Sequence, residues 1–104
     1  METEYNPLNH LGRLLLMRGI PFEDADRAEM GQLLYPSRAD RRCSIIFGPG
    51  SIGYENGNLE IQGLLTDVEA MSDSVAGNLT VIDVLVRITR DWKYYEEEYE
   101  EEDD

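Results

Sequence analysis

Ser44-Ile-Ile-Phe-Gly-Pro-Gly-Ser-Ile-Gly-Tyr-Glu-Asn-Gly-Asn-Leu-Glu-Ile-Gln-Gly63 reads as two strands joined by a turn-rich connection. Ser44 to Phe47 is a short apolar run of β-branched and aromatic type, the pattern of a buried strand. After Asn58, the residues Leu59, Ile61 and Gly63 alternate with Glu60 and Gln62, so this second strand has one dry face and one wet face. Between them, Gly48 to Asn58 supplies Gly50, Gly53 and Gly57 for positive φ, and Asn56-Gly57 is a turn signal. No lysine and no helix follow in the manner of a phosphate-binding loop. The segment is therefore a hairpin connection, and any further contact it makes falls to Ile52 and Tyr54, toward a protein.

Upstream, Gln32 to Tyr35 reads as another strand, ended by Pro36. Glu23 to Met30 is polar and aperiodic, so it is expected to be a loop with at most a short helical turn. The chain's first element has Asn6 as N-cap, Pro7 at the first helical position and Gly19 with Pro21 beyond its end. Leu8, Leu11, Leu14 and Leu15 give that helix one apolar stripe. Downstream, Thr66 and Glu69 match a capping box over a short helix from Asp67 to about Met71. Asp73 to Asn78 reads as a linker. Thr80 then caps a final helix whose stripe is Val81, Val84, Leu85, Ile88 and Trp92. The order predicts an α+β domain over residues 1–93: a small antiparallel sheet of two to three strands, flanked by an N-terminal and a C-terminal helix packed on one face. Residues 94–104 form an acidic, tyrosine-containing tail.

The 104 residues carry 22 acids and 9 bases, for a net charge of −13. Eight of those acids lie among the last nine residues, which leaves 14 acids against 9 bases in the rest, a net of −5. Such a chain repels nucleic acid and anionic membrane and attracts basic proteins. The one cysteine, Cys43, cannot form an internal disulfide and fits a reducing compartment. The apolar run Leu14 to Met17 is short and flanked by Arg13 and Arg18, too little for a signal peptide or a span. A soluble cytoplasmic protein is expected.

Catalytic constellations are sparse. His10 stands alone on the first helix, where a surface or capping role is the expectation. Cys43 precedes a buried strand with no second histidine to activate it, so a structural thiol is expected. Asp24 and Asp26 lack the oxygen-ligand spacing of a calcium loop. The reading is a non-enzyme with no catalytic residue, no cofactor and no metal.

The tail carries the interaction chemistry. Tyr94, Tyr95, Glu96, Glu97, Glu98, Tyr99, Glu100, Glu101, Glu102, Asp103 and Asp104 form the candidate partner-binding set, with Ile52 and Tyr54 as a second contact. Ile88, Trp92, Tyr95 and Tyr99 keep helical spacing, so a helical tail would prolong the apolar line of the last helix. Glutamates at i, i+4 repel, and negative charge at a helix C-terminus opposes the macrodipole. The free tail is accordingly expected to be non-helical and to fold on binding. As a helix it places a carboxylate about every 1.7 Å, the charge density of duplex DNA. Extended, it places one about every 3.7 Å, near that of a single strand. It also has a possible internal partner in Arg38, Arg41 and Arg42, and a tail that only confers solubility is the plainer reading.

Gly50 to Thr66, then Asp73 to Thr80 and Asp83-Val84, resemble small, mostly uncharacterised proteins encoded by phages and mobile elements of intestinal bacteria. The resemblance implies a setting in which short acidic proteins block host defence, including inhibitors of CRISPR effectors that occupy nucleic-acid channels. Two expectations follow. The first is an anti-CRISPR-like inhibitor, partly mimicking nucleic acid, whose acidic C-terminus enters the basic groove of a nucleic-acid-binding protein such as a Cas nuclease. The alternative is a structural or regulatory homodimer joined through its sheet edge. A core of only −5 argues against mimicry by the whole surface.

Overall fold

In the computed structural model, which describes residues 5–27 and 29–102 and, for 98–102, the backbone alone, the hairpin spanning residues 44–63 lies at the centre of the sheet. Strands β3 (Arg41–Phe47) and β4 (Leu59–Gln62) run antiparallel with Ile45 opposite Ile61 and Ser44 opposite Gln62. Their connection contains a single 3₁₀ turn, Tyr54–Asn56, between Gly53 and Gly57, and Gly50, Gly53 and Gly57 all take positive φ. Gly53 has a second reason to be glycine: a Cβ there would collide with the backbone of Asn78.

The sheet has five antiparallel strands in sequence order, β1 (Glu23–Asp24), β2 (Gly31–Pro36), β3, β4 and β5 (Ala76–Leu79). This corrects the expectation of two to three strands. The segment Glu23 to Met30, expected as a loop, contributes β1 and an Arg27–Met30 bridge. The segment Asp73 to Asn78, expected as a linker, contributes most of β5. Both edge strands, of two and four residues, are too short to show a period-two pattern, and they are ordered by their neighbours. Asn78, at φ 59°, donates its backbone N–H to Ile52 O, and its side-chain oxygen accepts from Asn56 and Asn58. The hairpin loop thereby fastens β5 to the sheet.

Helix α1 (Pro7–Met17) starts under an Asn6 cap that accepts from Leu8 and Asn9 N–H, as read from the sequence. Helix α3 (Val81–Glu102) starts under Thr80, whose hydroxyl and backbone exchange bonds with Asp83 in a capping box. Both helices lie on one face of the sheet and pack on each other. Between them and the sheet lie Leu11, Leu15, Leu33, Tyr35, Ile45, Leu59, Ile61, Val84 and Ile88, all fully buried. Apolar burial on one sheet face is what holds the two layers together.

The short helix α2 (Asp67–Ser72) opens with the expected Thr66–Glu69 capping box. Glu69 also receives both arms of the Arg87 guanidinium, at 2.7 and 2.8 Å, and Arg87 donates to Leu64 O. Arg87, and with it the Thr66 N–H, holds the Glu69 carboxyl at about 2, against an ordinary 4.5. A folded-state value below the unfolded one means that the contact contributes fully above about pH 5 and is lost as pH falls from there toward 2. Glu69→Gln is expected to lower stability at pH 7 and to flatten its decline between about pH 5 and 2, read by urea unfolding across an acid series. An unchanged acid profile would show that α2 is held by something else.

Candidate interaction site at the C-terminal helix

The buried stripe of α3 brings a carboxylate with it. Asp91 lies three residues after Ile88 and four before Tyr95, on the inward face of the helix. Across from it, the register of β2 and β3 slips: Tyr35 pairs with Cys43, and Pro36 pairs with Arg41. Arg42 is thus the extra residue of a β-bulge, and a bulge turns its residue toward the face of its neighbour. Cys43 points into the core, Arg42 is turned to the same helix-covered side, and Arg41 is left for the other side.

Arg42 grips Asp91 with Nε and Nη2, both at 2.7 Å. Tyr35, fully buried, donates its hydroxyl to the same carboxylate at 2.8 Å. Burial pushes the Asp91 carboxyl up, but the bonds from Arg42 and Tyr35 outweigh it and hold it below the usual range. Burial, with Asp91 adding to it, raises the Tyr35 phenol well above its ordinary value. The bond to Asp91 keeps Arg42 charged throughout the accessible range. This polar anchor ties the end of the buried part of α3 to β2 and β3.

One turn later, Tyr95 stacks on Trp92 with ring centroids 5.0 Å apart and planes at 19°. Arg42 lies over the Tyr95 ring at 5.8 Å, and the Tyr95 hydroxyl donates to Asp40 at 3.2 Å. The apolar line predicted through Trp92 and Tyr95 is therefore present. The helix does not stop there. It continues to Glu102, where like-charge repulsion and the macrodipole predict a frayed tail. The stack, the cation over the ring and the bond to Asp40 fix the first turn of the acidic segment, and propagation from a fixed turn costs less than nucleation.

Of the predicted contact residues, Tyr94 is 69% exposed and Tyr95 half-buried, while Glu96 and Glu97 face solvent. Glu98, Tyr99, Glu100, Glu101 and Glu102 continue the helix backbone, and Asp103 and Asp104 lie outside the described residues. Beyond Tyr95 the described helix runs seven residues, about 10 Å, with six carboxylates. Ile52 and Tyr54 sit elsewhere. Ile52 covers Gly77 of β5 and Tyr54 packs on Phe47 at 4.9 Å, at the end of β3 opposite to Arg42. The structure does not join them to the tail.

Fold-back onto arginines takes a limited form: Arg42 meets the Tyr95 ring, and neither Glu96 nor Glu97 pairs with Arg38 or Arg41 among the described side chains. His10 shares a hydrogen bond of 2.9 Å with the Tyr5 hydroxyl on the surface of α1. The Cys43 thiol is buried and pushed up to about 12 by that burial, so it stays protonated. Asp24 and Asp26 line an open groove of about 730 Å³ between α1 and β1, with Tyr5, Arg13 and Phe22. Among the described residues no group of acids, histidines and cysteine could hold a metal ion, and no helix is long and apolar enough to cross a membrane.

Asp91, Arg42, Tyr35 and Asp40 act as one cluster that the sequence pattern did not single out. Its one legible sign was a carboxylate at helical spacing on a buried stripe. No protein-family model, curated protein or solved structure matches the chain.

Proposed function

We propose that this chain is a non-enzymatic inhibitor of the anti-CRISPR kind, which presents the acidic end of α3 to the basic groove of a nucleic-acid-binding protein. The observation that carries the reading is the continuity of α3 from the buried Ile88 through the Tyr95 stack to Glu102. A carboxylate about every 1.7 Å on a helix follows the charge density of duplex DNA. Holding that helix at its root lowers the ordering cost of binding, because a preorganised ligand has less conformational freedom to lose. The exposed Tyr94 ring adds an amphipathic contact of the sort interfaces favour. The choice of a Cas nuclease in a bacterial cytoplasm as target comes from the resemblance to phage and mobile-element proteins.

The test is capture from a bacterial lysate by the full chain and by a form ending at Lys93, compared by mass spectrometry at low and high salt. The expected result is a nucleic-acid-binding protein retained by the full chain alone and released by salt. If both forms capture the same proteins, the tail serves solubility and the binding surface lies on the core.

A further inference from the structure

Helices α1 and α3 cover one face of the sheet. The other face carries Gln32, Leu34, Ser44, Ile46, Glu60 and Gln62. At its β1–β2 end, Arg27, Arg38 and Arg41 line a concavity of about 250 Å³ together with Asp26, Gln32 and Leu34. Their charges are poorly met from within. Glu23 approaches Arg38 only to 3.9 Å, Asp26 is engaged by the Gln32 backbone N–H, and Arg27 and Arg41 make no ion pair among the described residues. Three guanidinium groups against the one carboxylate of Asp26 in the lining leave a local excess of positive charge in a chain of net charge −13.

The same turn that carries these arginines holds the root of the acidic helix. Asp40, which accepts from the Tyr95 hydroxyl, stands between Arg38 and Arg41 in the chain. The bulge at Arg42 sends Arg42 to the helix side and Arg41 to the open side. Within one copy, then, the acidic helix and the arginine pocket sit on opposite sides of one turn. They can meet only if the helix reverses its course.

We infer that the pocket of Arg27, Arg38 and Arg41 receives the acidic end of α3 from a second copy of this chain, two copies exchanging helix ends about a two-fold axis beside the β2–β3 turn. Because ligand and receptor flank one turn, a single axis beside it brings both pairs together, which closes the assembly as a dimer. Each contact relieves two repulsions, that among the tail carboxylates and that among the arginines, through guanidinium–carboxylate bonds. A dimer held this way keeps the helix end covered until a more strongly basic groove competes for it. The inference rests on the same premise as the proposed function, that the helix end seeks clustered cations. Its test uses this chain alone, so its failure and the failure of partner capture are separate results.

The experiment is light scattering on the eluting full-length protein in ~0.1 M salt, where charges beyond about 10 Å are screened, over about a hundred-fold range of concentration. The wild-type mass is expected to rise from 11.9 kDa to twice that value. Arg38→Glu with Arg41→Glu is expected to remain at 11.9 kDa with an unchanged circular dichroism spectrum. Adding Glu100→Arg and Glu101→Arg to the same chain restores the dimer by exchanging the two signs. A wild type that stays at the monomer mass overturns the inference. So does a dimer that survives the arginine reversals, or a charge-exchanged chain that does not recover.

Discussion

Asp91→Ala is expected to cost about 3 kcal/mol and to lower the unfolding midpoint by roughly 10–20 °C. Three hydrogen bonds end on this one carboxylate, from Tyr35 and twice from Arg42. Tyr35 has no exposed surface, so its hydroxyl would be left buried without an acceptor, which alone costs about 1–3 kcal/mol. Arg42 is the lesser loss, because its side chain is 43% exposed against 13% for Asp91 and water can take over its donors. Tyr35→Phe should cost about 1 kcal/mol, since it removes donor and need together. Asp91→Asn, which keeps an acceptor and drops the charge, should fall between the two. The contribution of the charged form is present above the ordinary carboxylate range and is lost as pH falls below it, because Asp91 is held low in the fold. Thermal unfolding of the three variants at neutral and acid pH checks both the order and the sign. A loss under about 1 kcal/mol for Asp91→Ala would show that apolar packing alone holds the end of α3.

The elements with strong periodicity were legible from residues alone. Both long helices, their Asn6 and Thr80 caps, the Thr66–Glu69 box and the pairing of Ser44–Phe47 with Leu59–Gln62 are all in the structure. Each depends on contacts within a few residues or on a run of apolar side chains. The two edge strands were not legible, because two and four residues are too few to show alternation and their order comes from pairing with β2 and β4. The bulge at Arg42 was equally hidden. It is a mismatch between two strands, invisible in either one, yet it decides that Arg42 serves α3 while Arg41 faces away. In the candidate site, the acidic segment and its tyrosines were evident from charge. The stack of Tyr95 on Trp92, under Arg42 and tied to Asp40, was not, and it is what carries the helix into a segment whose own charges oppose it.

Neutralising the helix end should therefore move stability and binding in opposite directions. With Glu96, Glu97, Glu98, Glu100, Glu101 and Glu102 all changed to glutamine, three i, i+4 repulsions vanish, Glu96 with Glu100, Glu97 with Glu101 and Glu98 with Glu102. At about 0.2–0.5 kcal/mol each, together with the relieved macrodipole, this should stabilise the last two turns by roughly 1–2 kcal/mol. Amide exchange over residues 96–102 should slow by about ten-fold in consequence. Affinity for an immobilised polyarginine peptide, a stand-in for a basic groove, should fall by about a hundred-fold, since six contacts of ~0.5 kcal/mol sum to about 3 kcal/mol. The salt dependence of binding should flatten with it. Tyr95→Ala separates the two effects: it leaves every carboxylate in place and removes the stack and the bond to Asp40, so exchange should quicken while polyarginine binding falls only by the cost of reordering the helix. If the glutamine variant binds within ten-fold of wild type, the carboxylates are not the ligand. If Tyr95→Ala leaves exchange unchanged, the helix end holds itself.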